Sequence, residues 1–102
     1  MEPARKRELR RQYLERQRAA ERAALGLSAQ QLRDLRSYLD QVQALGLGCD
    51  RSLTHTRRWA AQEGLDPESV AMALVELGGN CDCMVTMNVK PYRFGWPPED
   101  DP

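Results

Sequence analysis

The chain is poor in the residues that most enzymes rely on. It has one histidine and three cysteines in 102 residues. An odd cysteine number argues against a disulfide framework, and the three thiols are read as reduced, as in a cytoplasmic protein. No run of eighteen or more apolar residues occurs, so no segment is expected to span a membrane. The opening "MEPARKRELRRQYLERQRAA" is charged but has no apolar stretch behind it, unlike a secretory signal. There is no GxSxG, P-loop, HExxH or dinucleotide fingerprint. With a single histidine, those absences lean against an enzyme.

Charge is plentiful by comparison. Fifteen Lys/Arg balance fifteen Asp/Glu, yet they are unevenly placed. Residues 1–22 carry eight Lys/Arg against four Glu, and the chain ends with Glu99, Asp100 and Asp101. A length of 102 residues suits one domain with a modest core.

Residues 4–24 are strong helix formers, with Arg11 and Glu15 at helical spacing. Leu9, Tyr13, Ala20 and Ala24 make only a narrow apolar stripe, so this helix is expected to protrude or lie loosely on the body. Gly26 ends it. Ser28 with Gln31 forms a capping box, and Leu32, Leu35, Leu39 and Val42 then repeat at three and four. Asp50 or Ser52 can cap a third helix running from Leu53 through Trp59 to about Glu63. "LDPESV" starts a fourth, with Asp66 as cap and Pro67 in the first turn. That fourth helix is apolar nearly all round, which suits a core position or a face against another chain.

After Gly78 and Gly79 the pattern alternates. In "CDCMVTMNV" one set is Cys81, Cys83, Val85, Met87 and Val89, and the other is Asp82, Met84, Thr86 and Asn88. That predicts a short strand, followed by an extended piece through Tyr92, Phe94 and Trp96. A lone strand needs a partner for its backbone, which raises pairing with a second copy. The predicted fold is mainly α with a short C-terminal β element: a protruding basic helix (1–26), a compact domain with a three-helix core (27–96) and an acidic disordered tail (97–102).

Four residues could hold a soft metal: Cys49, His55, Cys81 and Cys83. They form one Cys3His set, the ligand number and type that tetrahedral zinc takes. The spacing is not a CxxC knuckle, and on a regular strand Cys81 and Cys83 sit too far apart for one ion. Buried packing is the competing role for these thiols. A Cys81–Cys83 disulfide would be strained. Asp50 and Asp82 each follow a cysteine beside glycines, where capping of backbone N–H groups is the expected role. Trp59 reads as core. The basic first helix could grip phosphates, but glutamates are interleaved and only Tyr13 is aromatic.

Three stretches together resemble a known group: "GCD" at 48–50, "TRRW" at 56–59 and "GGNCDCMVTMNV" at 78–89. They are similar to a bacterial family of small proteins catalogued as a domain of unknown function (number 2695). In that family a Gly-Cys-Asp turn opens a helix bearing Thr-Arg and a tryptophan, and a Gly-Gly-x-Cys-Asp-Cys-Glu-Val stretch leads to Asn-Val. The likeness covers about residues 28–90, leaving out the basic helix and acidic tail. Met84 stands where the family places a glutamate. The resemblance implies a compact cytosolic bacterial protein and no particular activity. The expected function is a non-catalytic protein-interaction module, as a homodimer or with another protein. The alternatives are zinc binding through the Cys3His set and nucleic-acid binding through the first helix.

Overall fold

The computed structural model describes residues 3–46 and 50–96. The candidate ligand Cys49 and the expected tail at 97–102 therefore lie outside the described residues. Five α-helices and one 3-10 turn follow one another: α1 (Pro3–Leu25), α2 (Ala29–Ala44), α3 (Thr54–Gln62), α4 (Pro67–Glu76), α5 (Asp82–Asn88) and the turn Pro91–Phe94.

Local chemistry accounts for the clearest boundaries. The Ser28 hydroxyl accepts the Gln31 N–H at 3.1 Å while the Gln31 side chain accepts the Ser28 N–H at 2.8 Å, a reciprocal cap that fixes where α2 begins. Its stripe of Leu32, Leu35, Leu39 and Val42 is buried. Pro67 opens α4 at a position where a missing N–H costs nothing. α2 packs against α3 and α5, α3 against α4, and α1 meets α4 and the 3-10 turn. A single core joins them, centred on Leu32, Leu35, Leu74, Val85, Val89 and Phe94.

No strand occurs among the described residues. The stretch expected to be one is α5, and the buried positions say why. Asp82, Val85 and Val89 are buried at spacings of three and four, whereas Met87 is 64% exposed. A strand would have placed Met87 beside Val85 and Val89. The alternation in the sequence is real, but the helical period in the same nine residues is the one that faces the core. The body is thus built from four helices, not three helices and a strand. Edge-to-edge pairing of a strand with a second copy falls with it. The expected extended piece is also helical: in the 3-10 turn Phe94 points inward and Tyr92 outward.

α1 joins the body only by its C-terminal end. Leu25 is buried and Glu21 and Arg22 are half-buried, while every residue from 4 to 20 is exposed. Arg22 donates to the Phe94 carbonyl at 2.6 Å, and Glu21 accepts from Arg93 at 3.1 Å. These contacts hold the root of the helix, the Arg18 side chain lies beside Gly95, and the remainder stands in solvent.

Candidate functional site

Of the residues singled out in the sequence, Asp50, His55, Cys81, Asp82 and Cys83 belong to the segments that meet where α5 approaches the start of α3. The first turn of any helix has N–H groups with no partner inside the helix. In α3 those groups are satisfied from outside. The Ser52 hydroxyl accepts the Thr54 N–H at 3.3 Å. The Asp82 carboxylate accepts the N–H groups of His55 and Thr56, each at 3.1 Å, and the Thr56 hydroxyl at 2.7 Å. Asp82 is 3% exposed and Thr56 fully buried. The Asp82 N–H in turn donates to the Ser52 carbonyl at 2.9 Å. One aspartate therefore caps a helix 26 residues away and pins the beginning of α5 to it.

Asp50 does similar work locally. Its carboxylate accepts the Ser52 N–H at 3.1 Å, the Ser52 hydroxyl, and the Thr54 hydroxyl at 3.5 Å. The hydrogen bond from the Ser52 side chain holds its pKa below the ordinary aspartate value, although the group is fully exposed. Both aspartates thus organise backbone around the α3 entry.

Cys81 occupies the position just before α5, and Cys83 lies in its first turn; both are half-buried. The Gln43 amide donates to the Cys83 sulfur at 3.8 Å. His55 is half-buried, with Nδ1 shielded from water and lacking a hydrogen-bond partner. Through its N–H bond to Asp82, the His55 backbone sits beside the Cys81–Cys83 segment. Among the described residues, no group of three or more His, Cys, Asp or Glu could hold a metal ion. Trp59 is buried in the core cluster.

The two glycines before this segment have separate jobs. Gly78 has φ +94 and Gly79 donates to the Leu74 carbonyl at 2.7 Å while Gly78 donates to that of Val75 at 3.0 Å, the paired bonds of a Schellman cap on α4. A Cβ on Gly79 would stand 2.9 Å from Val85 Cγ2 and 3.2 Å from the Leu74 carbonyl oxygen. Glycine is what lets α5 close onto the end of α4. The Asn88 amide completes the loop by donating to the Gly78 carbonyl at 3.0 Å.

Sequence reasoning missed the arginines that hold these elements. Arg36 of α2 donates to the carbonyls of Thr86 and Val89, both at 3.0 Å, at the open end of α5. Burial lowers its pKa, and Asp40 partly opposes that. Arg93 donates to the carbonyls of Leu77 and Asn88 and pairs with Glu21, tying α4, α5 and α1 to the turn. No local pattern marks an arginine that acts on carbonyls 50 residues away.

A second feature is the α1 arm. Residues 4–20 hold seven Lys/Arg and two Glu, a net of +5. Arg11 lies 3.8 Å from Glu8. Leu9 and Tyr13 on the arm are 54% and 66% exposed. On the body, the outer face of α4 exposes Met72 and Val75. No described helix is long and apolar enough to cross a membrane.

A family model described as a protein of unknown function (DUF2695) matches residues 35–88, from the second turn of α2 to the end of α5. The uncharacterized protein Rv2271 of Mycobacterium tuberculosis is 40% identical over 89 residues, covering 86% of this chain and 88% of its own. The uncharacterized protein Mb2294 of Mycobacterium bovis matches to the same extent. No solved structure matches.

Proposed function

The chain belongs to the DUF2695 family of proteins of unknown function, and from that premise we propose that it is a non-catalytic interaction module whose contact element is the α1 arm. One observation carries the reading: residues 4–20 are all exposed on a helix rooted only at its other end. Most helical stability in proteins comes from packing an apolar face, and this stretch buries almost nothing of its own. Such a surface gains most when a partner covers it. The exposed Met72 and Val75 on α4 offer a protein partner a second, apolar contact. Around Asp82, by contrast, the polar groups are occupied with capping.

Photo-crosslinking in cells tests the reading. A photoreactive residue at position 13, with position 72 as a second site, is expected to give a discrete adduct with a protein, a second copy or a nucleic acid. Adducts at neither position would overturn it.

Metal binding is the second reading, supported by the buried and partnerless Nδ1 of His55, a residue whose backbone N–H bonds the aspartate between the two cysteines. His55, Cys81 and Cys83 are not grouped for a metal among the described residues, so these three ligands would have to close on the ion. Cys49, outside the described residues, would supply the fourth ligand and third thiol of the set. Untagged protein purified under reducing conditions would then carry about one zinc or iron per chain by mass spectrometry, lost in Cys49→Ser and Cys81→Ser. Metal-free protein that is fully folded would dismiss it.

A further inference from the structure

We infer that the α1 arm binds the groove of a duplex nucleic acid through its phosphates, a step that rests on the interaction-module reading and names the partner. The chain as a whole is neutral, so a polyanion would be drawn to the arm and not to the molecule at large. Of the seven cations in residues 4–20, Arg11 pairs with Glu8, and the other six have no ion-pair partner among the described residues. The interleaved glutamates therefore leave most of the charge unneutralised. Six of the seven are arginines, whose planar fork suits phosphate better than an ammonium does.

The distribution around the helix selects among polyanions. At about 100° per residue, Arg5 and Arg16 fall on one flank and Arg7 on the flank opposite, continued toward the root by Arg18, whose side chain lies beside Gly95 of the body. Lys6 and Arg10 lie between them. Glu8 and Glu15 share the remaining narrow strip. Cations on two opposed flanks match a groove walled by two phosphate backbones. A flat anionic membrane would call for one cationic edge beside a broad apolar face. Here Leu9 and Tyr13 lie about 100–140° around the helix from Leu14, and Lys6 and Arg10 separate them. An acidic protein surface would likewise engage one flank only. The arm is also the right size. Its exposed part is about 25 Å long and about 10–12 Å wide, and the major groove of B-DNA is about 12 Å wide. Since phosphate contacts carry no base information, the binding is expected to be weakly dependent on sequence.

Fluorescence anisotropy of the full chain with a labelled mixed-sequence duplex of about 20 base pairs tests this. Between about 50 and 200 mM NaCl, six phosphate contacts give a slope of log K against log salt of about −5. Replacing three of the cations (R7Q, R10Q and R16Q together) is expected to make the slope shallower by about 2.7, with Trp59 fluorescence unchanged as evidence that the body is folded. M87Q, at an exposed position of α5, is expected to leave binding as it was. No binding at about 50 mM salt would overturn the inference, as would a slope indifferent to the triple substitution. Equal or tighter binding to phosphatidylserine vesicles or to polyglutamate at the same salt would also overturn it. If the duplex does not bind while position 13 still crosslinks to a protein, only the nucleic-acid assignment fails. If both fail, the interaction-module reading fails too.

Discussion

A carboxylate taken out of water must be met by donors that are already in place. At Asp82 the donors are two backbone N–H groups at the start of α3 and the Thr56 hydroxyl, all fixed by the helix itself, and the positive end of α3 faces the charge. Removing that carboxylate strands two N–H groups and a hydroxyl. Asp82→Ala is expected to cost about 3–4 kcal/mol in urea unfolding, and Asp82→Asn less, because one amide oxygen can still accept. A loss below about 1 kcal/mol in the alanine variant would mean that water replaces the carboxylate freely. Asp50 makes a contrasting prediction. Its folded pKa lies below the unfolded value, so the stability linked to it is present above the unfolded pKa and is lost as pH falls through the folded one. The window is acidic, below the ordinary aspartate value. Carboxyl NMR should show Asp50 titrating below that value, and Ser52→Ala should move it up; no movement would assign the shift to another cause. At this scale the sequence was partly legible. Both aspartates stood out, because each follows a cysteine in a glycine-flanked turn. The depth of Asp82 did not, because the groups it caps lie in another helix.

Helices whose signals are local were readable as such. The Ser28–Gln31 box and the Asp66–Pro67 start need only four neighbouring residues, and both helices begin there. α5 failed as a reading because the nine-residue stretch that contains it, residues 81–89, carries two periods at once, and tertiary contacts choose between them. Asp82 binds one end to α3, and Arg36 closes the other on the carbonyls of Thr86 and Val89. A seven-residue helix has little stability of its own, so it should depend on both clamps. Arg36→Ala is expected to raise amide exchange throughout α5 and to cost about 2–3 kcal/mol, the range for hydrogen bonds from a charged donor. Exchange in α5 that stays as slow as in α2 would show the clamp to be dispensable. Gly79→Ala approaches the same helix from behind. The new Cβ would press on Val85 and on the Leu74 carbonyl, neither of which is a flexible tip, and the overpacking should cost about 2 kcal/mol. An unchanged urea midpoint would show that α5 can retreat from α4 without loss.

Over the whole molecule, two parts of unequal stability share one chain. The body has a continuous core, whereas the arm has like charges at helical spacing, Lys6 with Arg10 and Arg7 with Arg11, which weaken a helix. The arm's protrusion was legible from its narrow apolar stripe. Its anchorage was not, since Arg22 on the Phe94 carbonyl and Glu21 on Arg93 join residues 72 apart. Unequal stability predicts two thermal signals. Far-UV ellipticity should decline gradually before the main transition, as the arm frays from its free end. In a Trp96→Phe chain, fluorescence of Trp59, which is buried in the core, should report only the later cooperative step. Salt screens repulsion between exposed charges over about 8–10 Å at moderate ionic strength, so adding it should flatten the early decline more than it moves the main transition. Removal of residues 1–20 should abolish the early signal and leave the later one nearly in place. A single transition, coincident in both probes and unaffected by salt, would mean that the arm folds and melts with the body.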